Sequence, residues 1–433
     1  MRLIISNLFF LLIFSISSEK GYAQQQAQQI SAKAVSDSLP FVEGDDPIVA
    51  MMDSLLASEF FSFYCFSDDT GLLNVNEFES GMVPSYTDDV YSQRMRLLDA
   101  ETPMELVYNS TVKGFIDLYA VRKRALTSRV LGLSQMYFPL FEEALQKYNI
   151  PLEMKYLAVV ESALNPTAKS RVGAAGLWQF MYTTGKMYGL EVDSYIDERF
   201  DPYMATEAAC RYLNFLYGLY NDWNLALAAY NSGPGNVNKA IRRSGGKKTF
   251  WEIKEFLPQE TQGYVPAFIA VNYVMNYAAE HNIYPVKPSF SYFECDTIQV
   301  SKKLHLSQIA HFTGVTESQL AELNPMFTKG IIPGNGRYSL RLPVESIGLF
   351  LANEESLYSF AASSPAPAEE VVAVAAPAPA PDYVTYKVRG GDVLGKIATR
   401  HGVTVNQIMK WNKLKSTRIH PGQKLKIYKN QRS

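Results

Sequence analysis

The side chain best suited to chemistry in this chain is a lone carboxylate, Glu161, which ends an apolar helical run. No other Asp or Glu follows it before Glu191. Burial beside Val159 and Val160 would raise its pKa, and the negative end of a helix dipole acts in the same direction. A carboxyl that stays protonated near neutral pH can serve as a general acid. The competing interpretation is a solvated glutamate at a helix end, which is the more common case.

Proline residues indicate where the helix that carries Glu161 begins and ends. Pro151 fits the first turn of a helix. Asn165-Pro166 is expected to end it, because a proline ring disfavours helix in the residue before it. Apolar residues recur between these points at mainly helical spacing. Glu161 is therefore predicted in the last helical turn.

The residues after this helix supply groups that suit an N-acetylated sugar. Ser170 offers a hydroxyl, Trp178 an indole and Gln179 an amide. The Gly-Ala-Ala-Gly turn at 173–176 would let a second helix pack closely. These groups predict a sugar site next to Glu161.

A second cluster lies near the end of a later predicted helix. Tyr230 and Asn231 precede a Gly-Pro-Gly turn at 233–235 and could reach back toward the same cleft. A core position is an equally good interpretation of Trp178 and Tyr230, and it does not exclude a functional one.

Together these motifs resemble the catalytic domain of soluble-lytic-transglycosylase type, which has a lysozyme-like fold. The resemblance rests on Glu161-Ser162, Asn165-Pro166, Ala168, Ser170, Gly173-Ala174, Gly176, Gln179-Phe180-Met181, Ala229-Tyr230-Asn231 and the run from Glu260 to Pro266. It implies cleavage of the β-1,4 bond between N-acetylmuramic acid and N-acetylglucosamine in peptidoglycan, without water, to leave a 1,6-anhydromuramic end. The fold class implied is a mainly α catalytic domain of the α+β lysozyme superfamily.

The resemblance also assigns roles to residues. It implies that Glu161 is the catalytic residue, that Tyr230 positions Glu161 and that Asn231 holds a sugar. The substrate-binding residues that it implies are Ser162, Ser170, Gln179, Met181, Tyr230, Asn231, Glu260 and Tyr264.

The shortage of carboxylates fits this chemistry. Ordinary glycosidases use two carboxyl groups, so a lone acid predicts assistance from the 2-acetamido group of the substrate. Glu161 would first give a proton to the leaving oxygen and then take one from the 6-hydroxyl of the sugar. Two alternatives stay open. Glu260 could be a second carboxylate for a hydrolysing muramidase, or the chain could be a catalytically silent wall-binding scaffold.

The C-terminal part contains an internal repeat. The segments around Gly314-Val315-Thr316 and Gly402-Val403-Thr404 match at an offset of 88 residues. In the second copy, strands are predicted at 384–388 and 424–428, with helices near 393–401 and 404–410 between them. This βααβ pattern resembles the lysin motif (LysM), which binds N-acetylglucosamine.

The LysM resemblance implies a glycan site in two loops, one after the first strand and one before the last. The residues that match these loops are Gly391, Asp392, Val393, Leu394, Ile419, Pro421 and Gly422. The first copy departs from the pattern, because Ser301 to Leu304 replaces the Gly-Asp turn and an insert at 325–336 precedes its last strand. A packing role against the catalytic domain is as good an interpretation of the first copy as sugar binding.

Composition and the N-terminus predict an exported protein. The apolar run from Leu3 to Ile16, followed by Gly21-Tyr22-Ala23, is typical of a cleaved signal peptide. Without a cysteine near that site, a lipid anchor is not expected, so we predict a periplasmic or envelope location, with peripheral membrane association left open. Residues 383–433 hold 12 Lys or Arg against one acid, Asp392, which favours an anionic polymer such as the wall over nucleic acid.

No cofactor or metal is expected, since neither a phosphate loop nor a metal-ligand spacing occurs, and no protein partner is identified. Cys65, Cys210 and Cys295 are an odd set, of which one pair could form a disulfide in an oxidising compartment, and Cys210 is predicted to be a buried thiol. The expected domains are a signal peptide at 1–23, a partly disordered segment at 24–89, a helical collar at 90–139, the catalytic domain at 140–285, a degenerate LysM-like module at 290–345, a Pro/Ala-rich linker at 360–382 and a LysM domain at 383–428.

Overall fold

The computed structural model describes residues 28–29, 46–57, 74–79, 81–288, 290–363, 383–389, 391–412, 414, 416–420 and 422–428. The chain divides into two compact units, residues 1–364 and residues 365–433. Several expectations lie outside the described residues: the signal peptide, most of the segment 24–45, Cys65, the linker at 364–382 and Pro421.

The first unit begins with elements for which the sequence pattern offered no clear prediction. Strand β1 (Gln28–Gln29) pairs antiparallel with β2 (Pro84–Ser85). Helix α1 (Pro47–Leu56) starts at Asp46, whose carboxylate accepts a hydrogen bond from the Ile48 backbone N–H. Part of the segment at 24–89 is thus ordered, because α1 packs its apolar face on the main core.

The main core is helical, which confirms the mainly α prediction for this part of the chain. Its first helices are α2 (Asp88–Ala100), α3 (Ser110–Asp117), a π-helical turn (Leu118–Arg122) and α4 (Arg124–Lys147). Helix α4 continues through Pro139, so the expected boundary between collar and catalytic domain at 139/140 falls inside one helix. A proline removes one backbone hydrogen bond, and the packing of α4 on the core holds the helix together across it.

The helices that form the site follow α4. They are a 3-10 turn (Leu152–Tyr156), α5 (Leu157–Ser162), α6 (Tyr182–Met187), α7 (Pro202–Tyr220), α8 (Trp223–Ser232), α9 (Pro234–Arg243), α10 (Phe250–Ile253), a 3-10 turn (Lys254–Phe256) and α11 (Gln259–Asn276). Helix α11 is buried along most of its length and packs on α3, α5 and α8, so it is the central helix of this core.

The first LysM-like module completes the first unit. Strand β3 (Cys295–Val300) pairs antiparallel with β6 (Tyr338–Pro343), and the short β4 (Leu304–His305) pairs with β5 (Ile331–Ile332). Helices α12 (Leu306–Thr313) and α13 (Glu317–Leu323) lie between them.

This module is longer than the predicted 290–345. Helix α14 (Val344–Ser363) follows β6 and places Phe350 and Leu357 in the core of the module. The expected linker start at 360 therefore falls inside a helix that the module needs for burial of its apolar face.

The second unit has the predicted βααβ order. Strand β7 (Tyr383–Lys387) pairs antiparallel with β8 (Lys424–Tyr428), and α15 (Leu394–Arg400) and α16 (Val405–Trp411) lie between them. Leu394, Ile397, Ile408 and Leu425 form its small core. Across the described parts of both units, no helix is both long enough and apolar enough to cross a membrane.

Candidate active site

Glu161 lies in the last turn of α5, as predicted. The helix ends because Ala163 and Leu164 both adopt left-handed backbone conformations, with φ of 50° and 60°. Non-glycine residues rarely adopt this conformation, and two in succession indicate that the surrounding structure holds the backbone in place. The side chain of Glu161 is half-buried.

The surroundings of Glu161 raise the pKa of its carboxyl, which favours the protonated form near neutral pH. Loss of water on burial raises the pKa of its carboxyl to about 8, and the charge of nearby Glu260 acts in the same direction. The hydroxyl of Tyr264 donates a hydrogen bond to Oε1 of Glu161, which moves the pKa in the opposite direction. Burial raises the pKa of Tyr264 well above its usual value, so this hydroxyl stays a donor. The arrangement is that of a neutral carboxylic acid with one oxygen held.

Tyr230, which the resemblance implied to position Glu161, uses its hydroxyl on the chain next to the acid and not on the acid itself. Its hydroxyl donates to the backbone carbonyl of Trp178 at 2.7 Å, and Tyr264 rather than Tyr230 bonds Glu161. The reason is that α11 lies alongside α5 and brings Tyr264 directly to Glu161, whereas Tyr230 projects from α8 onto the chain after α5. Tyr230 therefore holds the backbone beside the acid.

Residues 168–181, here called the cleft loop, carry three of the predicted substrate-binding side chains. The Ser170 hydroxyl accepts a hydrogen bond from the Ala174 backbone N–H at 3.0 Å. The side-chain amide nitrogen of Gln179 donates to the carbonyls of Ala168 (3.1 Å) and Gly176 (2.8 Å). Both donors of this amide are thus used within the loop, which leaves its oxygen as the group that a ligand could reach.

Met181 is the last residue of the cleft loop, immediately before α6, and its side chain is 42% exposed. It can therefore contact a ligand directly.

Gly176 lets the cleft loop approach the chain near Arg199. Its φ is 81°, and a Cβ added at this position would lie 1.7 Å from the Arg199 carbonyl oxygen. The turn was predicted to let a second helix pack closely; instead, Gly176 lets the cleft loop approach the backbone of the loop before α7. A Cβ at Gly173, whose φ is 90°, would meet nothing within 4 Å.

A buried ion pair that the sequence pattern did not reveal holds the same loop. The Arg199 guanidinium makes two hydrogen bonds to the Asp197 carboxylate, at 2.9 Å and 2.6 Å. It also donates to the carbonyls of Gly173 (2.9 Å) and Phe180 (3.2 Å). Asp197 and Arg199 lie two positions apart in a loop, where the sequence has no helical or strand periodicity, so this ion pair could not be predicted from the sequence pattern.

Two residues beside the acid are in the core, so the predicted sugar contact of Ser162 is wrong and, of the two interpretations of Trp178, the core position is the one observed. Ser162 is fully buried, and its hydroxyl donates to the carbonyls of Ala158 and Leu177, both at 2.9 Å. Trp178 is also fully buried, and its indole N–H donates to the Thr206 hydroxyl at 2.9 Å. Ser162 joins α5 to the cleft loop, and Trp178 joins the cleft loop to α7. Both side chains therefore support the site from the core and do not contact a ligand.

The remaining candidates come from α8 and α11. The side-chain oxygen of Asn231 accepts a hydrogen bond from the Thr261 hydroxyl at 2.8 Å, so its amide nitrogen points away from that partner. Glu260 is exposed in the first turn of α11. Thr261 belongs to the predicted motif at 260–266 but had no predicted role, and it sets the orientation of the Asn231 amide.

The predicted glycan-binding residues of the second LysM module differ in their exposure to solvent. Asp392 accepts hydrogen bonds from the Tyr386 hydroxyl and the Arg389 backbone N–H, both at 2.8 Å, which orders the loop after β7. Val393 is 53% exposed, whereas Leu394 is buried in the core and is corrected to a structural residue.

The other loop of this module lies before β8. Gly391 and Gly422, one in each loop, have φ of 86° and 90°. Ile419 is half-buried and packs against the core of the module.

Cys210 is a buried free thiol, as predicted, and burial raises its pKa to about 12. Cys295 is free and half-buried.

Three family models match the chain. Residues 139–253 match the transglycosylase SLT domain. Residues 294–359 match the LysM-like domain of lytic transglycosylase MltD, and residues 386–427 match the LysM domain.

Curated relatives agree with these matches. The chain is 33% identical over 286 residues to membrane-bound lytic murein transglycosylase D of Escherichia coli, which covers 65% of this chain and 61% of the relative. It is 35% identical over 127 residues to the soluble lytic murein transglycosylase of the same organism, which covers 28% of this chain and 20% of the relative. The chain thus spans about three fifths of the first relative and a smaller part of the second.

Among solved structures, a complex of the 70 kDa soluble lytic transglycosylase with bulgecin A is 28% identical and covers 39% of this chain and 27% of that chain, with a TM-score of 0.31.

Along the chain, the segment that holds Glu161 and the cleft loop is similar to a transglycosylase SLT domain. It is followed by one segment similar to the LysM-like domain of lytic transglycosylase MltD and one similar to a LysM domain.

Proposed function

We propose that this protein is a lytic transglycosylase, which cleaves the β-1,4 bond between N-acetylmuramic acid and N-acetylglucosamine in peptidoglycan and leaves 1,6-anhydromuramic ends. The observation that carries the proposal is Glu161, a desolvated carboxyl whose pKa is raised to about 8 and whose Oε1 accepts a hydrogen bond from Tyr264. The similarity to lytic murein transglycosylases supports the same reaction.

In the first step Glu161 acts as an acid. With Oε1 held by Tyr264, the proton on the other oxygen is given to the glycosidic oxygen as its bond to the anomeric carbon breaks. The acetamido carbonyl of the N-acetylmuramic acid residue stabilises the positive charge that develops on its anomeric carbon. The Tyr264 hydrogen bond then stabilises the carboxylate that remains.

In the second step the same residue acts as a base. The 6-hydroxyl oxygen of the muramic sugar attacks its own anomeric carbon, and its proton passes to the Glu161 carboxylate. A C–O bond is broken and another is formed within the substrate, so no water is consumed and Glu161 is returned to its starting state.

The two oriented amides suit opposite groups of an N-acetylated sugar. Gln179 offers an oxygen because its nitrogen is used within the cleft loop, and Asn231 offers a nitrogen because its oxygen is bound by Thr261. We assign the first to a sugar N–H or hydroxyl donor and the second to a sugar oxygen. Ser170 and Met181 complete the wall of the cleft.

A hydrolysing muramidase is the second candidate, and one observation favours it. The charge of Glu260 acts on Glu161, so a second carboxylate lies within electrostatic reach of the acid and is exposed to solvent. In a hydrolase this carboxylate would activate a water. A non-catalytic scaffold is the third candidate, and the raised pKa of the Glu161 carboxyl, which suits a general acid, speaks against it.

Product analysis in heavy-oxygen water separates the three candidates. Purified protein is incubated with peptidoglycan, and the soluble products are examined by mass spectrometry alongside Glu161→Gln and Glu260→Gln. A transglycosylase gives anhydro products without heavy oxygen, loses them in Glu161→Gln and keeps their type in Glu260→Gln. Reducing ends that contain heavy oxygen and are lost in Glu260→Gln would establish hydrolysis. If wild type gives no products, the non-catalytic scaffold is the candidate that remains.

We also propose that the LysM domain at 386–427 binds the N-acetylglucosamine of glycan strands and keeps the enzyme on its polymer. Its basic character suits an anionic wall, and a tethered weak binder raises the effective concentration of the enzyme there. Removal of residues 383–433 should lower the rate on intact sacculi and leave the rate on soluble glycan fragments unchanged. Equal rates on sacculi would contradict this role.

The proposed substrate sets the location. Peptidoglycan lies outside the cytoplasmic membrane, so we propose export to the periplasm or cell envelope, with the leader at 1–23 predicted from sequence. Fractionation of cells that express the full chain, with immunodetection of the mature N-terminus, tests this location. Recovery of the uncleaved chain in the cytosolic fraction would contradict it.

A further inference from the structure

The first LysM-like module closes its own loops. In the LysM pattern, the loop after the first strand and the loop before the last strand together form the glycan site. Here the insert at 325–336 pairs with the first loop, with Leu304 opposite Ile332 and His305 opposite Ile331. A Cβ added at Gly334 would lie 2.8 Å from the backbone nitrogen of Lys303. Chain from the insert therefore covers the loop that a sugar would need.

The same insert is joined to the catalytic domain by backbone hydrogen bonds. The loop at 193–201, here called the junction loop, precedes α7. In it the Asp197 N–H donates to the Met326 carbonyl, and the Thr328 N–H donates back to the Tyr195 carbonyl, both at 3.0 Å. Between them Ile196 forms an isolated bridge with Phe327. The two domains share a short antiparallel pairing.

Ile196 makes this junction part of a core. Although it belongs to the catalytic domain, its side chain is only 1% exposed and lies in the hydrophobic core of the LysM-like module. Nearby, the Arg341 guanidinium of the module lies 4.4 Å from the centre of the Tyr203 ring at the start of α7. Burial on this scale fixes the junction loop relative to the module.

From the junction loop a short series of contacts leads to the cleft. Asp197, next to Ile196, holds Arg199 through two hydrogen bonds, and Arg199 binds the carbonyls of Gly173 and Phe180. Those carbonyls belong to the cleft loop. The position of the cleft loop is thus set by a chain of contacts that begins in the module core.

We propose that the LysM-like module is a positioning element for the catalytic cleft and that it does not bind glycan. Ile196, Asp197 and Arg199 are the positioning residues that transmit its support to the cleft loop. This inference rests on the proposed function only for its effect on activity, because the structural effect on residues 168–181 can be measured without catalysis.

The test compares two buried isoleucines of the same core in the full chain. Ile196→Ala removes the junction contact, and Ile309→Ala removes a fully buried side chain of α12 as a matched control. Arg199→Lys keeps the charge but cannot bind Asp197 and both loop carbonyls together. Backbone hydrogen–deuterium exchange at 168–181 and the KM for soluble glycan fragments are measured for each variant.

We expect Ile196→Ala and Arg199→Lys to speed exchange at 168–181 and to raise KM roughly three- to tenfold, as for the loss of about one hydrogen bond. Ile309→Ala should leave the exchange rate at 168–181 and KM at their wild-type values. Ile196→Val should bring the exchange rate and KM most of the way back from the Ile196→Ala values to those of wild type. If Ile196→Ala does not fold, the smaller change in Ile196→Val decides the result. Unchanged exchange in the Ile196 variants, or equal effects of Ile309→Ala, would overturn the proposal.

Oligomers of N-acetylglucosamine provide the second arm. Saturating oligomer should slow exchange in the loops of the second LysM domain and leave 301–305 and 331–336 unchanged. Slower exchange in those two segments would show a sugar site in the first module and overturn its assignment as a support. If wild type yields no cleavage products, the proposed activity fails, whereas both exchange measurements still decide this inference.

Discussion

The hydrogen bond from Tyr264 to Glu161 can be tested by removing one oxygen atom. Tyr264→Phe keeps the ring in a position that is only 3% exposed and deletes the donor that the Glu161 carboxyl uses. That donor lowers the pKa of Glu161 against the larger effect of burial. Its removal should therefore raise the pKa above the wild-type value of about 8.

The size of the effect follows from the charge of the acceptor. A hydrogen bond to a charged group contributes about 1.5–3 kcal/mol, and 1.36 kcal/mol equals one pKa unit. Part of this contribution cancels, because the hydroxyl also bonds the neutral carboxyl. We expect the pKa of Glu161 to rise by roughly one unit and kcat to fall roughly 10- to 100-fold, since the carboxylate formed in the transition state loses its donor.

The pH dependence of the cleavage rate reports this change. A general acid must hold its proton, so activity is present below the pKa of Glu161 and is lost as pH rises through about 8. In Tyr264→Phe this alkaline loss should move to higher pH while the maximal rate falls. Rates on soluble glycan fragments avoid the separate effect of pH on binding to the wall.

Tyr230→Phe is the matched control, because it deletes a buried hydroxyl of the same site that bonds a backbone carbonyl. In the pH profile of its cleavage rate, the loss of activity at alkaline pH should occur at the same pH as in wild type. The reasoning is refuted if the alkaline loss of activity in Tyr264→Phe does not move, or if the two variants move it equally.

Three further predictions follow from the same geometry. Because burial holds the pKa of Glu161 above the unfolded value of 4.5, the contribution of Glu161 to the free energy of unfolding is greatest below pH 4.5 and is lost as pH rises toward about 8. In urea unfolding, the free energy of unfolding of Glu161→Gln should therefore exceed that of wild type by on the order of 1–3 kcal/mol near pH 8 and match it near pH 4.5, and a pH-independent difference would contradict this. Gly176→Ala should lower Tm and activity far more than Gly173→Ala, since only the former meets the Arg199 carbonyl; equal thermal melts would count against the close approach. Thr206→Val leaves the buried Trp178 indole N–H without its partner and should reduce the free energy of unfolding by about 1–3 kcal/mol without changing KM, so a raised KM would restore Trp178 to the substrate site.

Local pattern was sufficient for the elements that carry the acid. The helical spacing before Glu161 predicted a helix from Pro151 to Asn165-Pro166 whose last turn holds the carboxylate. The structure has the carboxylate in that last turn, but residues 152–156 form a 3-10 turn and α5 itself spans only Leu157–Ser162. The alternation and turn residues at 383–428 likewise predicted the βααβ order, because each element of so small a domain is defined by its own apolar face.

Contacts between distant residues were beyond that pattern. The donor to Glu161 lies 103 positions away on α11, and which of two tyrosines reaches the acid depends on how α8 and α11 pack around α5. In the same way, Trp178 has the composition of a sugar platform and the burial of a core residue. Side-chain direction is set by packing, which residue type and spacing alone do not specify.

What the sequence by itself determined is the inventory: one acid in an apolar helix end, a glycine turn, two amides and two copies of a βααβ pattern. What only the tertiary structure decided is which of these groups face the cleft and which support it. Ser162 and Trp178 became supports, Tyr264 became the partner of the acid, and the first LysM-like module came to share its core with Ile196. The physical reason is that burial and hydrogen-bond pairing are satisfied over the whole fold, so the role of a side chain depends on neighbours far away in the chain.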